Sequence, residues 1–234
     1  NAQLFDLPDS YTSLSGTEIV RRSLDQPIGS QGLYELAKGK KKILVVTDDI
    51  ARPTRVNEFI EVILHDLYKA GIKEENIEFM MALGTHRPMT KKEMAQKLGT
   101  DIAENFKVYN HEWDNADCLE FIGETSQGVP VWINKKVKEA DLVIGIGAIM
   151  PIDVCGFTGG GKILIPGVCG EITNSEMHWT RVDVPEHKIL GQIENPIRAS
   201  IDELARKAGL DFIVNVIMNA EQKVVAAVAG DMVE

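Results

Sequence analysis

Between Gly156 and Lys162 the chain reads Gly-Phe-Thr-Gly-Gly-Gly-Lys, and His178 stands sixteen residues beyond the lysine. Consecutive glycines reach positive φ cheaply and carry no Cβ, so the backbone there can come close to a ligand. Gly156-x-x-x-x-Gly161-Lys162 also meets the spacing of a phosphate-binding P-loop. The match stops there. Ile163 stands where such a loop needs Ser or Thr for magnesium, and Pro166 falls where its helix has to run. A nucleoside triphosphatase is therefore disfavoured, and a glycine turn between two strands with a solvated lysine is the plain alternative.

Elements that could position this loop are visible on both sides of it. The apolar run Leu142 to Ile149 reads as a buried strand that delivers the loop. Lys42 to Thr47, with Ile43-Leu44-Val45-Val46, reads as a strand buried on both faces, and it ends in Asp48-Asp49-Ile50-Ala51-Arg52-Pro53. Ile77 to Leu83 is a second such strand, running into Gly84-Thr85-His86-Arg87-Pro88. Phe106 to Asn110 delivers His111, and Leu119 to Ile122 and Pro130 to Asn134 are shorter candidates. Helical spacing covers Val56 to Lys69, Thr90-Lys91-Lys92-Glu93 is a capping box for a helix ending at Gly99, and Pro196 to Gly209 frames another. Phe212 to Met218 and Val224 to Ala229 close the chain as strands, while Pro8, Pro27 and Gly29 mark turns and a short helix precedes Gly39. Strands alternating with amphipathic helices predict an α/β fold with a mostly parallel, Rossmann-like sheet. Ligands of such sheets bind outside the carboxyl ends of the strands, so Asp49 to Arg52, Gly84 to Arg87 and Met150 to Lys162 are expected to converge.

Composition limits the function. Asp and Glu number 35 against 25 Lys and Arg, a formal charge of -10, with no basic run longer than Lys40 to Lys42. Nucleic acid and anionic membrane surfaces are disfavoured as partners. Cys118, Cys155 and Cys169 fit no zinc or CxxC spacing, which points to a reducing cytoplasm. No apolar run nears the roughly twenty residues that span a bilayer. His65 sits off the apolar stripe of its helix and His187 sits in a charged stretch, so both read as surface; Met80 and Met81 read as core.

Taken in order, Asp49-Ile-Ala-Arg52-Pro53, Gly84-Thr-His-Arg-Pro88, Asn110-His111, Met150-Pro151, Gly156 to Lys162, Pro166-Gly-Val-Cys-Gly170 and His178 resemble the amino-terminal domain of the lactate racemase family. These are 2-hydroxyacid racemases and epimerases that use a nickel-pincer nucleotide, a pyridinium-3,5-bisthiocarboxylic acid mononucleotide holding nickel through a ring carbon and two sulfurs. The resemblance implies that Lys162 bonds covalently to one sulfur arm and that His178 is the fourth nickel ligand. It places Asp49, Thr85, Gly159, Gly160 and Gly161 against the nucleotide. Arg52 then binds the substrate carboxylate, and His86 is one of two proton-transferring histidines that serve hydride exchange at the hydroxyl-bearing carbon. Histidine suits that task because its unperturbed pKa lies near neutrality.

Two positions depart from the family pattern. Ile152 stands where the second histidine belongs, which leaves Asp153 or His111 as substitute bases; Ala51 replaces a hydroxyl residue. The family has a second α/β domain that 234 residues do not reach, and proteins of cofactor biosynthesis are implied partners. Two other readings fit the residues: a relative that binds cofactor or hydroxyacid without turnover, and an unrelated phosphate-binding enzyme.

Overall fold

The computed structural model describes residues 12–182 and 184–234, so the expected turn at Pro8 lies outside the described residues. Among the described residues ten strands occur in chain order: β1 Ile43–Asp48, β2 Ile77–Ala82, β3 Lys107–Asn110, β4 Leu119–Glu124, β5 Pro130–Asn134, β6 Leu142–Ala148, β7 Pro151–Ile152, β8 Gly156–Phe157, β9 Phe212–Met218 and β10 Val224–Gly230. Eight helices of the described residues accompany them: α1 Gly16–Asp25, α2 Leu33–Ala37, α3 Ile60–Lys69, α4 Lys91–Leu98, α5 Thr100–Asn105, α6 Lys135–Glu139, α7 Glu171–Trp179 and α8 Pro196–Ala208.

Six strands form one sheet in the order β10-β9-β6-β1-β2-β3, parallel throughout except for β10, which runs against β9. The predicted α/β fold with a mostly parallel sheet is therefore what the chain adopts. Connections from β1 lead through β2 to β3 on one side, and from β6 to β9 on the other. The order thus reverses between β1 and β6, and the carboxyl ends of these two strands flank a crevice. The segments β4 and β5, expected only as strands, pair with each other in a separate antiparallel hairpin, on which Phe121 and Trp132 stack at 5.3 Å.

Alternation along the strands explains why their apolar runs are unbroken. In β1, Ile43 and Val45 enter a core shared with α1, α3 and α4, while Leu44 and Val46 enter a second core under α8 and α6. Burying one such side chain contributes about 1.5–3 kcal/mol. Burial on both faces consequently holds the sheet more firmly than helix propensity does. The single helix predicted over Val56 to Lys69 is interrupted at Phe59, whose side chain is fully buried, leaving a one-turn 3-10 segment before α3. The predicted capping box occurs, with Thr90 and Glu93 forming the reciprocal pair at α4, and the helix framed by Pro196 and Gly209 is capped by Asn195, which accepts from the Arg198 amide. Among the described residues no helix is long and apolar enough to cross a membrane.

Candidate active site at the strand ends

Three adjacent parallel strands, β2, β1 and β6, deliver their following segments to one cleft. Its walls include Asp49 and Arg52 after β1, Gly84, Thr85 and His86 after β2, and Met150, Thr158, Gly159 and Lys162 after β6, with His178 from α7 opposite. The expected convergence is therefore present as geometry.

The loop after β1 is held from below. Asp48 is nearly enclosed, 2.5 Å from the Lys97 ammonium and accepting from the Thr54 hydroxyl, and Lys97 also donates to the Arg52 carbonyl at 3.0 Å. Burial pushes the Asp48 carboxyl up, and the Lys97 charge opposes that shift. Lys97, read from sequence only as part of a helix, thus anchors the turn that presents Asp49 and Arg52. Lys97→Met leaves Asp48 buried without its counter-charge. The expected cost is about 3–5 kcal/mol, seen as a lowered urea midpoint; an unchanged midpoint would show that the pair does not support the turn.

His86 and Asp49 form a dyad. The Nδ1 atom of His86 lies 2.6 Å from Asp49 Oδ2, while Asp49 Oδ1 accepts from the Ala51 amide in an Asx turn. An ionised carboxylate only accepts, so Nδ1 carries the proton and Nε2 keeps its lone pair. The Asp49 side chain is enclosed and the His86 ring is more than half exposed, which leaves Nε2 accessible. Asp49, expected beside the nucleotide, has its carboxylate committed to His86. Arg52 lies on the same wall, and its guanidinium has no hydrogen-bond or ion-pair partner among the described residues.

His178 is oriented in the same manner by a different acceptor. Its Nδ1 donates to the Asn174 carbonyl at 2.6 Å, one helical turn back in α7, so Nε2 is again the free nitrogen. Asn174 is buried, and its amide donates to the carbonyls of Pro166, Cys169 and Gly170. One residue therefore fixes α7, the loop before it and the histidine together.

Lys162 closes the cleft from a 3-10 turn, Gly160–Ile163. Its ammonium makes no hydrogen bond or ion pair with any described residue. Burial pushes its pKa down, and the positive charges of Arg52 and Arg198 act in the same direction, against Cys155 and Asp48. The three glycines before it divide between the cleft and α8. Gly159, at φ +78, lines the cleft. Gly160 and Gly161 face α8 instead. A Cβ on Gly160 would come 2.2 Å from Arg198 Nη2, and one on Gly161 2.9 Å from the Ala205 Cβ. Their missing side chains let the loop lie on α8, where Arg198 donates to the Phe157 and Gly159 carbonyls at 3.3 Å each. The position a side chain would take at Gly160 and Gly161 is thus occupied by α8.

The two substitute bases do not present a free group to the cleft. His111 is 1% exposed, with Nε2 donating to the Cys169 carbonyl at 2.8 Å and Nδ1 accepting from the Asn134 amide at 3.2 Å. Burial lowers its pKa and favours the neutral ring. It supports the loop that precedes α7. Asp153 is exposed and paired with Arg181 at 3.2 Å. Ile152 packs partly against the second core and is not among the cleft walls. Arg87, within the same motif as His86, is taken up by Glu93 at the α4 cap. The side chains that sequence reading missed, Lys97, Asn174 and Arg198, contact backbone rather than open space.

Residues 3–189 match the lactate racemase N-terminal domain family. A lactate racemase of Thermoanaerobacterium thermosaccharolyticum is 35% identical over 97% of this chain and 56% of its own length, and one of Lactiplantibacillus plantarum is 34% identical over 95% and 52%. A structure of the lactate racemase apoprotein from Thermoanaerobacterium thermosaccharolyticum, 35% identical, superposes with a TM-score of 0.89 over 97% of this chain and 56% of that one. A structure of a Thermotoga maritima protein, 26% identical, superposes at 0.75 over 92% of this chain and 55% of that one. The chain spans about half the length of the curated relatives it matches. With sequence and fold agreeing over nearly all of its residues, the chain belongs to the lactate racemase N-terminal domain family.

Proposed function

We propose that this chain is the cofactor-binding part of a 2-hydroxyacid racemase or epimerase that works with a nickel-pincer nucleotide. The observation that carries the reading is the gathering of Lys162, His178, the His86–Asp49 dyad and Arg52 around one cleft. The residues fit such a group in three ways. Lys162 offers an amine that no neighbour occupies and that its surroundings hold toward the neutral, nucleophilic form. His178 offers a free Nε2. No cluster of three or more His, Cys, Asp or Glu suited to a metal occurs among the described residues, so a metal here takes one histidine and draws its other ligands from a bound group.

On this reading Lys162 would hold the nucleotide covalently, His178 would ligate its nickel, and Thr85 and Gly159 would border it. Such a group would supply the means of hydride exchange at the substrate carbon. The protein's own residues do the rest. Arg52 presents a planar, uncommitted guanidinium that pairs bidentately with the substrate carboxylate and fixes which carbon faces the cofactor. His86 takes the hydroxyl proton on Nε2, and the Asp49 carboxylate both fixes the ring and stabilises the imidazolium that results. Proteins that make and insert the cofactor are the implied partners. The implied compartment is a reducing cytoplasm, in keeping with the free thiols of Cys118, Cys155 and Cys169.

The same geometry limits the activity. Among the described residues His86 is the one histidine on the cleft walls apart from the assigned nickel ligand, and Ile152, at the place of the family's second histidine, is apolar and packs against the second core rather than lining the cleft. Lactate is then inverted slowly unless the rest of a longer protein supplies a second base, and a larger hydroxyacid is the better substrate. Following L-to-D and D-to-L conversion of lactate and longer hydroxyacids in a full-length, cofactor-loaded form tests this. Ile152→His should raise lactate inversion by about a hundredfold or more, the usual contribution of a general base. Fast lactate inversion by the wild type, unaffected by Ile152→His, would overturn the one-base account.

A further inference from the structure

Lys162 and Arg52 stand in one cleft, and neither cation has a hydrogen-bonding or ion-paired partner among the described residues. A cleft with two uncommitted cations is prepared for an anion, and the carboxylates on its walls are already taken: Asp48 by Lys97 and Asp49 by His86. An amine in low-dielectric surroundings beside a second cation is also the arrangement that makes a lysine reactive toward carbonyl carbons.

We propose that, before any cofactor is attached, Lys162 condenses with 2-oxoacids to form an imine, with Arg52 holding the acid's carboxylate. The neutral amine adds to the C2 carbonyl carbon, forming the carbon–nitrogen bond as the carbonyl electrons move to oxygen, which takes a proton. The nitrogen loses a proton to give the carbinolamine, its lone pair then expels the hydroxyl, which leaves with a proton as water, and the resulting iminium gives up its remaining N–H proton to become the imine. Amine plus 2-oxoacid gives imine plus water, with no change in oxidation level. His86 Nε2, free and in the same cleft, is the group that takes and returns these protons. Burial of Lys162 and the nearby charges of Arg52 and Arg198 shift it toward the neutral amine. This goes beyond the cofactor reading, and shares with it the carboxylate-binding role of Arg52, the proton-transferring role of His86 and the uncommitted amine of Lys162. Its consequence is competition: a 2-oxoacid on Lys162 blocks the amine that cofactor attachment needs.

The test uses the 234-residue chain produced in a host without the cofactor pathway, treated with pyruvate and cyanoborohydride and mapped by peptide mass spectrometry. The expected result is one dominant stable adduct at Lys162, formed before any adduct at exposed lysines, because burial holds this amine toward its neutral form and Arg52 holds the acid beside it. Acetone, which lacks the carboxylate, should label Lys162 about tenfold more slowly than pyruvate, and Arg52→Gln should remove that preference. Adducts spread over surface lysines, with Lys162 no faster, would overturn the proposal. So would equal labelling by pyruvate and acetone in the wild type, which needs no variant to fold. A chain that labels at Lys162 yet never gains cofactor keeps the imine and removes the cofactor reading; cofactor attachment without pyruvate labelling of the apo chain does the reverse.

Discussion

Lys162→Ala, produced alongside cofactor biosynthesis, should remain at its unmodified mass and bind no nickel, while the wild-type chain gains both the nucleotide and the metal. The substitution should not harm folding. The Lys162 ammonium pairs with nothing among the described residues, so its removal breaks no contact and relieves a charge that burial disfavours. A thermal midpoint equal to or above that of the wild type is therefore expected. His178→Ala separates attachment from metal binding: the covalent mass gain persists, and the nickel is lost or held weakly. Intact mass spectrometry and metal analysis on the three proteins decide the matter. A full mass gain by Lys162→Ala would place the anchor elsewhere, and nickel retained undiminished by His178→Ala would remove that ligand assignment.

The parts of this arrangement that could be read from sequence are those where residue type and environment agree. The runs Ile43 to Val46 and Leu142 to Ile146 are apolar because both faces of their strands are covered, and the glycine and polar segments that follow them fall at strand ends for the same reason. Parallel pairing of β1 with β2 and β6 then brings the segments together without further information. Other parts were illegible for physical reasons. In α7 two of the three buried residues, Thr173 and Asn174, are polar, so no apolar period marks the helix that carries His178. Thr173 links to β5 through the Pro130 carbonyl and the Trp132 amide, a role that depends on tertiary contact alone.

Charge and glycine misled in related ways. Lys97 has the residue type of an exposed helical face, yet its ammonium is buried against Asp48 because the turn after β1 needs a counter-charge beneath it. Gly160 and Gly161 share the signature of a ligand-approach loop, although the approach they permit is that of α8. His111 has the type of a base but spends both ring nitrogens on the protein. A sequence shows which groups are present; their partners decide which remain free. In this cleft the free ones are Lys162, Arg52, and the Nε2 atoms of His86 and His178.

His86→Ala should lower turnover of a cofactor-loaded, full-length form by about a hundred- to ten-thousand-fold, the range a general base contributes. The hydrogen-bond geometry makes a second variant more informative. Asn in place of Asp49 keeps the size of the side chain, but its amide nitrogen can donate to Nδ1 and so favour the tautomer with the proton on Nε2. That tautomer cannot accept the substrate proton, and the imidazolium also loses its carboxylate. Asp49→Asn should therefore approach His86→Ala in its effect on kcat while leaving KM nearly unchanged, because Arg52 still binds the carboxylate. Arg52→Lys should show the opposite split, with KM raised more than kcat is lowered. Since the His86 side chain is 55% exposed, its removal leaves a space that solvent reaches, and added imidazole should restore part of the turnover of His86→Ala but none of that lost in Arg52→Lys. Turnover of His86→Ala within a few-fold of wild type would show that the proton leaves by another route and that the dyad serves only to shape the cleft.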